Sequence, residues 1–105
     1  MKNKNIMLVC AAGMSTSLLV NKMKNFSEET DRDHIIFALS ASEADSYLAE
    51  KQVDVILLGP QVRFMLDEFK TKTEKLSIPV DVIPMADYGM MNGENVLNLA
   101  ETLMK

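Results

Sequence analysis

Cys10 is the only cysteine in the chain, and the run that follows it, Ala11-Ala12-Gly13-Met14-Ser15-Thr16-Ser17, is built of small residues apart from Met14. Small side chains let a backbone curl until successive N–H groups converge, and a helix that begins in such a loop adds its positive end. That pattern is an anion nest, and the same groups favour a thiolate over a thiol. A thiolate at the centre of a phosphate cradle attacks phosphorus while the N–H groups hold the equatorial oxygens as charge builds. The competing reading is a small core hydrophobe at the end of a buried segment. Ser15, Thr16 and Ser17 divide in the same way, since each can cap a helix or contact an anion. No Lys or Arg lies between Cys10 and Lys22, so a cradle here is made by backbone.

A second group of polar residues falls near glycine and proline. Gly59-Pro60-Gln61 reads either as a tight strand-to-helix turn, with proline in a first-turn position that needs no N–H, or as part of a docking rim formed by Gln61, Arg63 and Met14. Asp87 and Tyr88 read as a turn aspartate and an anchoring tyrosine, as a partner contact, or, for Asp87, as a general acid. Met14, Met85, Met90 and Met91 fall in loops, where flexible thioethers suit a surface that fits two partners, whereas Met7 and Met23 read as core filling. His34 opens a strand away from Cys10 and reads as a surface residue.

Four strand-and-helix units position these residues. Asn5 to Cys10 is apolar and partly β-branched, a strand covered on both faces. Leu19, Met23 and Phe26 then repeat at helical spacing, with Leu18 beside them. His34 to Leu39 is the second strand, and Ser40 with Glu43 forms a capping box for a helix through Ala44, Leu48 and Ala49. Asp54 to Gly59 is the third strand, followed by a helix from Pro60 whose apolar face is Val62, Met65, Leu66 and Phe69. Val80 to Ile83, a loop from Pro84 to Met91 and a last helix with Val96, Leu97, Ala100, Leu103 and Met104 on one side complete the chain. The expected fold is α/β: one domain over 1–105, an open four-stranded parallel sheet with helices on both faces. Ligands of such sheets lie outside the carboxyl ends of the strands, which is where Cys10, the loop after Leu39, Gly59-Pro60 and the Pro84 to Met91 loop fall.

Composition narrows the function. The chain has 105 residues, 48% hydrophobic and 25% charged, which is ordinary globular usage and not the signature of disorder. The formal net charge of -4 comes without any basic stripe, so nucleic acid is not an expected partner. One cysteine and one histidine leave no zinc-binding set and no internal disulfide. The apolar runs are too short for a membrane span or a secretory signal, and the expected location is the cytoplasm. A response-regulator receiver needs carboxylates where Val9-Cys10 and Leu58-Gly59 stand, and a thiol-relay reductase needs resolving cysteines; neither reading fits.

The segments NIMLVCAAGMSTSLLVNKM, VDVILLGPQVRFML, PVDVI and DYG, at their spacings, resemble the IIB component of the lactose/cellobiose/chitobiose class of the bacterial phosphoenolpyruvate-dependent sugar phosphotransferase system. The resemblance runs from Asn5 to the last helix. It implies that Cys10 receives a phosphoryl group from a histidine of the IIA component and delivers it to a sugar brought by the membrane IIC component. It further implies a phosphate-binding loop over Ala11 to Ser17, no cofactor and no metal. The protein would be monomeric when free and would meet the inner face of the membrane only through IIC, without inserting. The loop is also similar to that of low-molecular-weight tyrosine phosphatases, whose pattern places an arginine six residues after the cysteine; Thr16 stands there instead. Without that bidentate cation, hydrolysis of a phosphocysteine loses a stabilising donor, which favours transfer over hydrolysis.

Overall fold

The computed structural model describes residues 3–11 and 14–105, and of Met14 and Ser15 the backbone alone. The first apolar run forms strand β1 (Asn5–Cys10), followed by helix α1 (Met14–Glu29), β2 (Ile35–Ser40), α2 (Ala41–Glu50) and β3 (Val55–Leu58). A 3-10 segment, Pro60–Met65, leads into α3 (Leu66–Thr73), and β4 (Val80–Val82), α4 (Met85–Gly89) and α5 (Gly93–Met104) follow. The strands lie in the order β2-β1-β3-β4, and every neighbouring pair is parallel.

Period-two alternation explains why β1 is apolar at every interior position. Ile6 and Leu8 pack with Leu19, Val20 and Met23 of α1 and with Val96, Leu97 and Ala100 of α5. Met7 and Val9 face the other way, onto Ala44 of α2 and Phe69 of α3. Val55 and Leu57 of β3 join the first cluster, Ile56 and Leu58 the second. Helices therefore cover both faces, and each large side chain taken fully out of water stabilises the fold by about 1.5–3 kcal/mol. Met7 and Met23 are wholly buried, as core filling requires.

Local signals place the helix starts. The Ser40 hydroxyl accepts the Glu43 N–H while the Glu43 carboxylate accepts the Ser40 N–H, a complete capping box at α2. Those bonds from Ser40 hold the Glu43 carboxyl below its usual 4.5. At α5 the Asn92 side chain accepts the Asn95 N–H at 3.1 Å. The first residue of α5, Gly93, lies against α1 so closely that a Cβ there would stand 2.7 Å from the Lys22 carbonyl carbon.

Beyond one-residue shifts at strand ends, the structure departs from the sequence expectations at three places. The helix expected from Pro60 begins as a 3-10 segment, with proline in its first turn and non-helical dihedrals at Val62, and becomes α-helical only at Leu66. The segment expected as a loop from Pro84 contains α4, a single turn closed by the Tyr88 N–H on the Pro84 carbonyl at 3.0 Å. Leu18, beside the apolar stripe of α1, points to solvent.

His34 is buried, contrary to the surface position expected. Its Nδ1 accepts the Lys4 N–H at 3.1 Å, which leaves the ring proton on Nε2 to donate to Glu101 at 2.9 Å. Arg32 Nη1 reaches the other Glu101 oxygen at 2.9 Å, and the His34 N–H donates to the Ser27 hydroxyl at 2.9 Å. This cluster clamps α1, β2 and α5 at the amino end of the sheet. A cleft at the same end, lined by Lys4, Asp54, Pro79, Leu103 and Lys105, brings the two ends of the described chain close together.

Candidate functional site

Strand order fixes where the site lies. The chain leaves β1 towards β2 on one side and leaves β3 towards β4 on the other, so the crevice between the carboxyl ends of β1 and β3 is the topological switch point. Cys10 is the last residue of β1 and Gly59 follows the last residue of β3. The Gly59 N–H donates to the Val9 carbonyl at 2.8 Å, which pins the two strand ends together immediately before the cysteine.

Cys10 is 3% exposed and pairs across the sheet with Ser40 of β2. Its S–H points to the Leu39 carbonyl, with Sγ 3.7 Å from the oxygen. Ala11, directly after it, is exposed. Of the remaining loop residues expected to bind phosphate, Ala12 and Gly13 and the side chains of Met14 and Ser15 lie outside the described residues. Thr16 and Ser17 are in the first turns of α1, with Thr16 only 1% exposed and Ser17 exposed. The Thr16 hydroxyl lies 3.2 Å from the Tyr88 hydroxyl.

The residues expected on a docking rim separate into two kinds. Gln61 and Arg63 are exposed on the 3-10 segment after β3. Asp87 and Tyr88 are half-buried on α4. Asp87 accepts from the Asn95 side chain at 3.0 Å, and its carbonyl accepts the Asn92 N–H at 2.9 Å, so it joins α4 to the start of α5. Tyr88 packs on the α1/α5 side of the core and lies beside Gly59, where a Cβ would sit 3.8 Å from its ring. Around these residues Met85 and Met90 are open to solvent. Phe64, which the sequence reading left out, is 79% exposed on the same 3-10 segment. An apolar residue next to Arg63 in a segment already assigned an apolar inner face was the available signal for it.

Sequence reasoning named Thr16 and Tyr88 without pairing them. They are 72 positions apart, and no local spacing reports such a contact. Among the described residues no group of His, Cys, Asp and Glu is arranged to hold a metal ion, and no helix is long and apolar enough to cross a membrane.

Comparison with known proteins agrees with this architecture. The family described as "PTS system, Lactose/Cellobiose specific IIB subunit" matches residues 5–99. The galactose-specific EIIB component of Lactococcus lactis subsp. cremoris is 52% identical, over 99% of this chain and 99% of its own length. The cellobiose-specific EIIB component of Lactococcus lactis subsp. lactis is 51% identical, with the same coverage of both chains. The solution structure of a cellobiose-specific phosphotransferase IIB component from Borrelia burgdorferi matches with a TM-score of 0.78 and 37% identity, over 97% of this chain and 92% of that one. The sheet and its helices are thus those of a phosphotransferase-system IIB domain. The chain belongs to the lactose/cellobiose family of IIB components, and it is a phosphotransferase of the sugar phosphotransferase system.

Proposed function

We propose that Cys10 is the residue that carries the phosphoryl group. In this reading the Cys10 sulfur attacks the phosphorus of a phosphohistidine on the IIA component. The S–P bond forms as the P–N bond breaks, the bonding pair returns to the imidazole, and the imidazole takes up the proton that the thiol gives up. A hydroxyl of a sugar held by the membrane IIC component then attacks the phosphocysteine, releasing the thiolate and losing its proton to a base at that interface. The sugar is of the β-glucoside type, in the cellobiose, chitobiose or lactose class. Backbone N–H groups from Ala11 to Ser17 hold the phosphoryl oxygens, and Gln61, Arg63 and Asp87 meet the partners. The protein acts in the cytoplasm as a free monomer, docks transiently at the membrane through IIC, and uses no cofactor.

The observation that carries this reading is the position of Cys10, the last residue of the central strand at the switch point, directly before a small-residue loop and the start of α1. Incubation with phosphoenolpyruvate, the general phosphotransferase proteins and the IIA component, followed by intact mass measurement, is expected to show the gain of one phosphoryl group. Cys10→Ser is expected to abolish the gain while leaving the circular dichroism spectrum unchanged. Phosphate on His34 with Cys10 unmodified overturns the assignment.

A further inference from the structure

The hydroxyl pair between Thr16 and Tyr88 joins two segments that meet nowhere in the sequence. Thr16 lies in the first turn of α1, six residues after Cys10, and is 1% exposed. A side chain that enclosed has a fixed direction, and its oxygen meets the Tyr88 oxygen at 3.2 Å. Tyr88 is itself held: its N–H donates to the Pro84 carbonyl, its carbonyl accepts the Met91 N–H, its ring packs on the α1/α5 core, and one ring edge would stand 3.8 Å from a Cβ on Gly59. Gly59 is in turn bonded to the Val9 carbonyl, one residue before Cys10. A path of bonds and close approaches thus runs from the end of β1 through Gly59 and the Tyr88 ring to the Thr16 hydroxyl, and so back to the helix start that follows the cysteine.

From this we infer that Tyr88 is a positioning residue for phosphoryl transfer, acting through Thr16 to hold the first turn of α1 in register with Cys10, and not a docking residue for the partner. The inference rests on the assignment of Cys10 as the phosphoryl carrier. Its physical basis is that backbone donors stabilise a transition state only when they are already in place, and small displacements of positioned groups lower rates sharply. Tyr88→Phe keeps the ring, with its packing on the core and on Gly59, and removes only the oxygen.

Loss of one such hydrogen bond is expected to slow transfer about three- to tenfold. The measurement is the rate of phosphoryl uptake from phosphorylated IIA in rapid-quench single turnovers, over a series of IIA concentrations. Positioning predicts a lower rate at saturating IIA with the half-saturating concentration unchanged. Docking predicts the reverse. Thr16→Val is expected to match Tyr88→Phe, the double variant to be no slower than either alone, and Thr16→Ser to retain more of the rate than Thr16→Val. Additive losses, an effect confined to half-saturation, or a Tyr88→Phe rate equal to that of the parent protein overturns the inference. Should Tyr88→Phe fail to fold, the Thr16→Ser and Thr16→Val pair decides the point, equal rates for the two overturning it. A parent protein that takes up no phosphoryl group at all overturns the Cys10 assignment as well, whereas normal uptake with unaltered variants removes only the role given to Tyr88.

Discussion

Gly93→Ala tests whether the contact between α1 and α5 is as tight as the structure has it. The added Cβ would stand 2.7 Å from the Lys22 carbonyl carbon, 2.8 Å from the Met23 nitrogen and 2.9 Å from the Lys22 Cβ, where ordinary contact begins at 3.4 Å. Two of these atoms are helix backbone, so relief cannot come from a rotamer change, and the helices must separate by several tenths of an ångström. Separation loosens Met23 against Val96, Leu97 and Ala100, all wholly buried. Overpacking of this kind costs about 1–3 kcal/mol. The intrinsic preference of helices for alanine over glycine offsets about 0.5–1 kcal/mol of that, less at a first helical position. A net loss of about 1–2 kcal/mol corresponds to a fall in Tm of roughly 4–15 °C for a domain this size. Gly89→Ala is the matched control, because nothing lies within 4 Å of a Cβ there. Thermal and urea unfolding of both variants, followed by circular dichroism, gives the comparison. A Gly93→Ala protein as stable as the Gly89→Ala control would refute the reasoning.

Two further perturbations act away from Cys10. His34→Ala leaves the Lys4 N–H and one Glu101 oxygen without their partner, and is expected to lower stability by about 1–3 kcal/mol in urea titrations while phosphoryl uptake is retained; an unchanged urea midpoint would contradict the clamp. The capping box gives a pH dependence of known sign. Its bonds hold the Glu43 carboxyl below its usual value in the folded protein, so the stabilisation is present above the unfolded value of 4.5 and is lost as pH falls through the lower folded value. The stability difference between the parent and Glu43→Gln is therefore expected to shrink on acidification from about pH 7 to about pH 3. A difference constant across that range would mean that the carboxylate charge does not contribute to the cap.

What could be read in advance divides by how local its cause is. The bounds of β1 are legible because a central parallel strand is covered on both faces, and an unbroken apolar run ending at Cys10 satisfies that condition almost alone. The capping box is legible because Ser40 and Glu43 are three residues apart and each carries the group the other needs. The position of Cys10 follows from these elements together with the parallel topology. The burial of His34 is not legible, since the carboxylate that accepts from it is 67 residues away. Neither is α4, a turn too short to show periodicity, whose stability comes from Tyr88 packing on the core and Asp87 bonding to Asn95. The Thr16 and Tyr88 pair fails for the same reason as His34: a side-chain contact across the whole fold has no signature in the spacing of either segment.

The cleft at the amino end of the sheet bears on how this domain can be tethered. Lys4 and Lys105 line it together, while Cys10 is at the opposite end of the same central strand. A linker attached to the Lys4 or Lys105 side chain would leave the molecule at the end remote from the sulfur. If Cys10 is the phosphoryl carrier, as proposed, a domain held at that end keeps its sulfur free to meet a partner, limited by the reach of the tether and not by the bulk of what it is attached to. Immobilised through Lys4 or Lys105, a protein whose phosphoryl carrier is Cys10 is expected to take up phosphoryl groups from a soluble donor as readily as in free solution.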